Sequence, residues 1–245
     1  MKEMVKKILI MTAAAICCIV VVGGGVWCSA VCKSSPCTQV CIVVKDSVKR
    51  QFVDAFELEQ YLKRQACYPQ GDSMQMVDCH AIEQCLLRHD MVRKAECYKS
   101  PFGKVNITVS QRVPVLAVVS KNGCYYVDSD RRRMPIRGAM DQDLYVINGA
   151  VTEHAATSEY FDFVSWLRGN SYWGERIRAV HVHSPKYLVL TQEGMAAKII
   201  LGELDGYEAK LAKLHHLYTK GLDKIGYPEY REYDLRYAKQ VVGRK

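Results

Sequence analysis

The sequence predicts an α+β protein with a single N-terminal transmembrane helix, a β-α-α-β-β unit, and then a mainly antiparallel β domain with two helices. Three observations lead to this fold class. Residues 8–27 form an uncharged apolar run, the part after it alternates strand-like and helix-like periodicities, and the rest is rich in short strand-like segments separated by turn signals. The composition, 49% hydrophobic and 24% charged, excludes a disordered chain, a collagen and a coiled-coil rod.

The apolar run at residues 8–27 predicts a membrane anchor. Twenty residues at a helical rise of about 1.5 Å span about 30 Å, which is the thickness of the hydrocarbon core of a bilayer. Three lysines lie in residues 1–7, so the positive-inside rule predicts a cytoplasmic tail there and an exported remainder. The alternative is a cleaved signal peptide with a small-residue site at residues 28–30. The length of the run and the bulky Trp27 favour a retained anchor.

Eleven cysteines raise the question of disulfides and metals. Two of them lie inside the apolar run, and the other nine are an odd number, which excludes a fully paired framework. The cluster at residues 28–41 lacks the tight ligand pairs of a zinc site, so free thiols are expected there and metal binding is the alternative. The nine are Cys28, Cys32, Cys37, Cys41, Cys67, Cys79, Cys85, Cys97 and Cys124.

Residues 28–37 read as a linker, and residues 38–111 as a compact unit of two helices on one face of a small mixed sheet. Asp54 and Asp78 are placed to cap the two helices. In the first helix, Phe56, Leu58, Tyr61 and Leu62 predict a buried stripe. The predicted elements are a strand at 38–44, a helix at 55–65, a second helix after Asp78, an extended stretch at 91–99 and a strand at 105–111.

Residues 112–245 read as a second α+β unit. Asn122-Gly123 between two apolar runs predicts a β-hairpin, and aromatic residues at helical spacing predict a helix at 158–168. The predicted strands are 115–119, 124–127, 144–148, 178–183, 187–192 and 195–201, with a second helix at 207–218 and a last extended segment at 230–237.

No pattern in the chain predicts an active site or a cofactor. Phosphate loops, dinucleotide fingerprints and hydrolase motifs are missing from the sequence. His181 and His183 share one face of a strand and are expected to face solvent, with metal binding as the alternative. The arginine run at 131–133 is expected in a solvated turn or against anionic lipid, with nucleic acid as the alternative. The net charge of +8 suits an anionic membrane surface, an acidic partner or nucleic acid alike and does not distinguish between them.

Short motifs are spread in a fixed order along the part after the apolar run. They are Tyr68-Pro69-x-Gly71, Val77-Asp78 with Ile82-Glu83, Val92-x-x-Ala95-Glu96-Cys97-Tyr98-Lys99-Ser100, Val109-x-Gln111-Arg112-x-Pro114, Tyr125-Tyr126-Val127-Asp128, Met134-Pro135-Ile136 and Asp234-Leu235-Arg236-Tyr237. In this order, the chain resembles the bacterial cell-division family FtsQ/DivIB in its Bacteroidetes-like form. The chain departs from that pattern in its many cysteines and in the arginines before Met134.

The resemblance implies that residues 38–111 are a POTRA domain and residues 112–245 an FtsQ-type β domain. It also implies a non-enzymatic divisome scaffold, without a cofactor, that links early septal proteins to the septal peptidoglycan synthesis machinery. The implied partners are FtsB- and FtsL-like single-pass division proteins. The implied location is the cell inner membrane at the division septum, with the bulk of the chain in the periplasm, where nucleic acid is not expected as a partner.

The last extended segment, residues 230–237, is the predicted partner-binding site. A strand at a sheet edge leaves backbone N–H and C=O groups free to pair with a strand of another chain. Tyr230, Glu232, Asp234 and Arg236 would share one face of that strand, while Leu235 and Tyr237 lie on the other and either bind the partner or complete the core. By the resemblance, Arg236 and Tyr237 occupy positions that contact the FtsB partner.

Two other functions remain open. A POTRA-containing component of envelope protein assembly or secretion would use residues 38–111 to bind substrate strands. An enzyme or metal-dependent envelope protein would use His181 and His183, or the cysteine cluster at residues 28–41.

Overall fold

A computed structural model describes residues 35–45, 51–222 and 230–245, and these described residues fall into two compact units that divide between Gln111 and Arg112. The predicted tail at 1–7, the membrane run at 8–27 and most of the linker at 28–37 lie outside the described residues. Within the described ranges, no helix has both the length and the apolar character needed to cross a membrane.

The first unit has the predicted β-α-α-β-β order. Its three-stranded sheet has the order β1-β3-β2, with β1 parallel and β2 antiparallel to the central β3. The elements are β1 (Gln39–Lys45), α1 (Ala55–Arg64), α2 (Cys79–Leu87), β2 (Val92–Ser100) and β3 (Lys104–Gln111).

Local sequence explains where both helices of this unit begin. Oδ1 of Asp54 accepts a hydrogen bond from the Glu57 backbone N–H over 2.7 Å, and Oδ1 of Asp78 accepts one from the Ala81 N–H over 3.0 Å. Each carboxylate therefore satisfies a backbone donor that the first helical turn leaves unpaired, which confirms the predicted caps.

The core of the first unit lies between the two helices and β3. Leu58 and Leu62 of α1, with Leu86 of α2, are fully buried, as the helical periodicity predicts. The prediction is wrong for Phe56, whose side chain is 69% exposed. Leu58 and Leu62 lie one turn apart and face the sheet, whereas Phe56 projects from another side of the same helix.

The second unit is built on a nine-stranded mixed sheet with the order β12-β11-β10-β9-β8-β7-β4-β5-β6. Its strands are β4 (Pro114–Ser120), β5 (Gly123–Asp128), β6 (Arg133–Met134), β7 (Tyr145–Gly149), β8 (Ile177–Ser184), β9 (Tyr187–Gln192), β10 (Lys198–Gly202), β11 (Glu232–Asp234) and β12 (Val242–Arg244). Three pairs, β4–β7, β7–β8 and β10–β11, are parallel, and the other neighbours are antiparallel.

Helices in the second unit cover the apolar side of this sheet. They are α3 (Glu153–Thr157), α4 (Glu159–Gly169) and α5 (Tyr207–His216), which continues as a π-helical turn, Leu217–Leu222. The short α3 was not predicted, and Thr152 caps it through a hydrogen bond from the Ala155 N–H. Phe163 of α4 and Leu214 of α5 are fully buried in the same cluster as Trp173.

The predicted hairpin is confirmed. Strands β4 and β5 pair antiparallel on either side of Lys121-Asn122, with Ser120 opposite Gly123 and Val119 opposite Cys124. The buried side chains of Val118 and Tyr125 face each other one pair further along. The turn therefore sets the register that places both residues in the core.

Candidate functional site at the C-terminal sheet edge

The C-terminal residues form two short strands instead of the single edge strand predicted over 230–237. Strand β11 covers only Glu232–Asp234 and runs parallel to β10, with Tyr233 opposite Ile199. Strand β12 then pairs antiparallel with β11 and ends the sheet in the described part of the chain. The prediction was wrong because the chain turns back after Leu235, so that β12 covers the edge of β11.

The expected alternation of faces holds at this strand, but both of its faces are buried. Tyr233, Asp234 and Leu235 are three consecutive residues, and all of them are buried. Tyr233 packs edge-on against Tyr218 and Tyr230, with ring centroids 5.3 and 5.6 Å away. Leu235 belongs to the hydrophobic core of the second unit. Of the two roles left open for Leu235, the structure therefore assigns it the core.

Asp234 is a buried carboxylate at the centre of this edge. Its Oδ1 accepts hydrogen bonds from the Arg236 backbone N–H and Nε, over 3.2 and 2.9 Å. Its Oδ2 accepts from Nη2 of Arg236 over 2.7 Å and from Nη2 of Arg244 over 3.1 Å. The side-chain hydrogen bond from Arg236 is the main reason that the pKa of Asp234 lies below its ordinary value, with Arg244 adding to the effect.

The same contacts attach β12 to the rest of the sheet. Arg244 of β12 binds Asp234 and also lies 3.5 Å from Glu232, measured from Nη1 to Oε2. Tyr230 lies so close to Gly243 that a Cβ there would meet its ring at 2.9 Å. Because two ion pairs and an aromatic ring anchor so short a strand, β12 keeps its position at the sheet edge.

The five residues predicted to bind a partner therefore have different surroundings. Tyr230, Glu232, Asp234 and Arg236 all make contacts within the chain that hold β11 and β12 together. Tyr237 lies in the connection between the two strands and is 45% exposed. Its backbone carbonyl accepts a hydrogen bond from Nζ of Lys213 over 2.6 Å.

Around the edge, the exposed charged side chains are cationic. The exposed members are Arg231, Arg236, Lys239, Arg244 and Lys245, whereas the acidic residues of the same segment, Glu232 and Asp234, are half-buried and buried. Strand addition here would therefore bring a partner backbone next to positive charge. The charges at 231–245 are visible in the sequence. Strand β12 was not predicted, because Val242 is its only large apolar residue.

A buried ion pair in the same unit was also missed. Nε of Arg112 donates to Oδ2 of Asp128 over 2.6 Å, and Nη2 of Arg112 donates to the carbonyls of Arg132 and Arg133. Oδ1 of Asp128 accepts hydrogen bonds from the N–H groups of Asp130 and Arg132, as aspartate side chains commonly do in turns. Sequence reasoning found the turn but not the partner, because Arg112 precedes β4 and reaches Asp128 only after β4 and β5 pair.

The arginine run at 131–133 is partly paired with helix carboxylates. Arg131 contacts Asp162 of α4 at 2.5 Å, and Arg133 contacts Glu153 of α3 at 3.0 Å. All four side chains are about half exposed. Arg131 and Arg132 thus lie in a solvated turn, one of the environments predicted for the run, whereas Arg133 begins β6. The two ion pairs connect this segment to two helices.

The candidate metal ligands do not come together. In residues 35–45, 51–222 and 230–245, no group of three histidine, cysteine or acidic side chains is placed to hold a metal ion. Nε2 of His181 lies 2.9 Å from Oγ1 of Thr191, and the ring of His183 packs on Tyr187. Burial is the main cause that lowers the pKa of His181. Cys28 and Cys32 of the N-terminal cysteine cluster lie outside the described residues.

Comparison with known families gives the class of the chain and then its family. Residues 35–110 match a POTRA-like domain, and residues 113–244 match the domain described as FtsQ/DivIB, C-terminal related. A POTRA-like unit followed by this β-rich unit defines a cell-division protein of the scaffold class. Because the second match alone covers more than half of the sequence, the chain belongs to the FtsQ/DivIB family, whose members are in general non-enzymatic scaffolds. Among curated proteins, none matches the chain.

Proposed function

We propose that this chain is a divisome scaffold that links early septal proteins to the septal peptidoglycan synthesis complex and binds FtsB- and FtsL-like proteins by strand addition at β12. The observation that supports this is the position of β12 at the end of the nine-stranded sheet. An edge strand has backbone groups on its outer side that can pair with an incoming strand.

The chemistry of the edge suggests which strand it takes. Arg231, Lys239 and Lys245 are exposed near β12. Arg236 and Arg244, by contrast, donate hydrogen bonds to the buried carboxylate of Asp234. A partner strand flanked by aspartate or glutamate would therefore gain from charge complementarity. Exposed Tyr237, at the turn before β12, would pack against a side chain of that strand.

In this proposal the chain lies in the cell inner membrane, with residues 1–7 in the cytoplasm, 8–27 as the anchor and the two units in the periplasm. The support is the uncharged run with its preceding lysines. The POTRA-like unit would recruit another partner or orient the β domain.

Site-specific photocrosslinking in cells tests the binding edge. A benzophenone amino acid replaces Tyr237 in one variant and Lys245 in another, and Lys121 in the exposed β4–β5 turn serves as the control position. Crosslinks to short single-pass membrane proteins from positions 237 and 245, but not from 121, would support strand addition at β12. Equal crosslinking from 121, or crosslinks from none of the three, would overturn it.

A truncation series separates the scaffold role from the binding edge. Pull-downs from detergent-solubilised membranes compare the full chain with chains that end at Val241 and at Pro228. Loss of the FtsB- and FtsL-like partners on removal of β12 alone is the expected result. Capture by both truncated chains would place the binding site elsewhere, and no capture by the full chain would contradict the division role.

A further inference from the structure

The two most exposed large apolar side chains in the described part of the chain belong to the first unit. Phe102, in the turn between β2 and β3, is 88% exposed, and Met76, in the loop before α2, is 79% exposed. Single apolar residues are common on protein surfaces, so exposure alone indicates no function. Phe102 differs from such residues in its backbone conformation and in its place in the unit.

The backbone of Phe102 has a conformation that suits its side chain poorly. Its φ is +64°, in the left-handed region where a bulky residue is unfavourable and where glycine or asparagine is usual. Neither burial nor backbone preference therefore accounts for a phenylalanine at this position. Strained residues of this kind cluster at sites that bind a ligand or a partner.

The turn that carries Phe102 is attached to the segment that enters the first unit. The Gly103 carbonyl accepts hydrogen bonds from the Thr38 N–H over 2.8 Å and from the Gln39 N–H over 3.3 Å. The carbonyl oxygen of Pro36 lies so close to Gly103 that a Cβ there would meet it at 2.4 Å. Phe102 is therefore fixed beside the point where the chain enters β1.

The loop that carries Met76 is attached to the same entering segment. The Met74 N–H donates to the Ser35 carbonyl over 2.9 Å, and the Met76 N–H donates to the Ser73 carbonyl over 2.8 Å, which closes a tight turn. Both exposed apolar side chains therefore lie at one end of the unit, where the chain enters it.

Positive charge accompanies the apolar side chains at this end. Lys99 of β2 is exposed, and its Nζ donates to the Met74 carbonyl over 2.6 Å. Lys104, the first residue of β3, is partly exposed, and Asp72 is an exposed acidic side chain in the loop before α2. An aromatic side chain flanked by lysines is typical of a surface that contacts the headgroup region of an anionic membrane.

The proposed anchor attaches the unit to a bilayer by this end. Ser35, the first described residue, follows Trp27 at the end of the apolar run by eight positions. Because a residue adds at most about 3.6 Å, these positions span at most about 29 Å. The far end of the sheet lies a whole strand away, since the eight residues of β3 extend on the order of 25 Å.

We infer that the β2–β3 turn of the first unit contacts the lipid bilayer, with the Phe102 ring in the headgroup region and Lys99 beside anionic phosphates. The inference rests on the proposed anchor at residues 8–27 and adds a second membrane contact to it. The anchor keeps the turn close to the surface, so the weak affinity of one phenylalanine is sufficient. The contact would restrict how the first unit is oriented on the membrane.

Photocrosslinking of the full chain tests the contact, in lipid nanodiscs made of phosphatidylethanolamine and phosphatidylglycerol. A benzophenone amino acid replaces Phe102, the sample is irradiated, and lipid adducts are identified by mass spectrometry of the tryptic peptide 100–104. A second variant carries the same group at Ile19, inside the apolar run, and reports on the anchor separately.

Phe56 is the matched control position. It is a 69% exposed phenylalanine in the first turn of α1. This helix begins near the opposite end of the sheet, because the Phe52 N–H donates to Oε1 of Gln111, the last residue of β3, over 2.9 Å. A benzophenone at position 56 is therefore equally exposed to solvent but remote from the bilayer.

The expected result is lipid adducts from positions 19 and 102, with about tenfold fewer from position 56. Adducts from 19 without adducts from 102, or equal yields from 102 and 56, would overturn the contact and leave the anchor in place. Adducts from neither 19 nor 102 would contradict the anchor, and the contact would fall with it. The position 102 variant is also irradiated in cells, where a crosslinked protein in place of lipid would overturn the inference.

Substitution of Phe102 supplies an independent readout, with the benzophenone at position 76. In Phe102→Asn, lipid adducts from position 76 should fall by about tenfold, because a large apolar side chain leaves the interface. The Tm should not fall, since asparagine suits a φ of +64° better than phenylalanine does. Phe102→Trp should keep the parent yield. Unchanged adducts in Phe102→Asn would contradict a membrane contact through Phe102.

Discussion

Nε of Arg112 lies 2.6 Å from Oδ2 of Asp128, and only 7% and 1% of the two side chains are exposed. Arg112 lies two residues before β4, and Asp128 is the last residue of β5, so the pair connects the start of one strand to the end of the other. Through Nη2, Arg112 also binds the carbonyls of Arg132 and Arg133, so one guanidinium holds the whole turn that follows β5.

Removing the cation of this pair should destabilise the second unit strongly. In Arg112→Met the Asp128 carboxylate stays buried without its charged partner, so the free energy of unfolding should fall by about 3–5 kcal/mol. Urea unfolding followed by tryptophan fluorescence measures this, because Trp166 and Trp173 both lie in the second unit.

An exposed pair in the same unit is the matched control. Arg133 and Glu153 are 3.0 Å apart, with 49% and 55% of their side chains exposed. Arg133→Met should therefore lower the free energy of unfolding by at most about 1 kcal/mol. Equal losses in the two variants would show that burial does not set the strength of the Arg112–Asp128 pair.

The Asp234 carboxylate should make the second unit sensitive to acid. The guanidinium of Arg236 lowers its pKa in the folded chain, so its contribution is complete above the unfolded pKa of about 3.9 and is lost as the pH falls through the lower folded value. Asp234→Asn should cost about 2 kcal/mol at pH 7, since charged hydrogen bonds are lost. The difference in the free energy of unfolding between the parent chain and Asp234→Asn should stay constant down to about pH 5 and then narrow below pH 4.

Urea titrations from pH 7 to pH 3 check this expectation. Asp162→Asn removes an exposed carboxylate that contacts Arg131 and serves as the control, with a small effect at neutral pH. A difference between the parent and Asp234→Asn that widens in acid would have the wrong sign for a carboxylate with a lowered pKa.

Gly202 should be required for the position of Arg236. Its φ of +76° is unfavourable for other residues, and a Cβ there would meet Cγ of Arg236 at 2.8 Å. Gly202→Ala should lower the free energy of unfolding by about 2–3 kcal/mol, from backbone strain together with the displaced arginine. Equilibrium unfolding in urea gives the value.

Gly194 offers a control with the same backbone strain and no clash. Its φ is +71°, and no atom lies within 4 Å of the position that an alanine Cβ would take. Gly194→Ala should therefore cost only about 1 kcal/mol. If the two alanine variants lose equal stability, the clash between the new Cβ at position 202 and Arg236 does not contribute to the loss.

Tyr237→Ala should weaken capture of the proposed partner while leaving the fold intact. The side chain is 45% exposed, so its removal leaves no buried cavity. Arg236→Glu is a poorer test, because it would place a second carboxylate beside buried Asp234. We expect an affinity loss of about tenfold, or about 1.4 kcal/mol, in a pull-down or titration with the partner.

Tyr98→Ala, which alters an exposed tyrosine of the first unit, is the control for loss of an aromatic surface group. It should bind the partner like the parent chain. Circular dichroism of Tyr237→Ala should match the parent as well. Unchanged capture by Tyr237→Ala would remove this residue from the proposed interface.

Local signals in the sequence predicted much of the fold. The caps at Asp54 and Asp78 and the hairpin at Asn122-Gly123 each depend on residues a few positions apart. The burial of Leu58 and Leu62 follows from helical spacing, yet Phe56 is exposed, since the stripe is narrower than periodicity suggested.

At the candidate site, the sequence alone showed the residue types. It gave a C-terminal segment with tyrosines, arginines and one central aspartate, and the family resemblance assigned this segment to the β domain. The folded arrangement was needed to show that β11 lies beside β10, that β12 forms the outer edge and that Asp234 is buried between Arg236 and Arg244. The same holds for Arg112 and Asp128. These contacts join residues from different strands, and their energies depend on burial that exists only once the sheet has assembled.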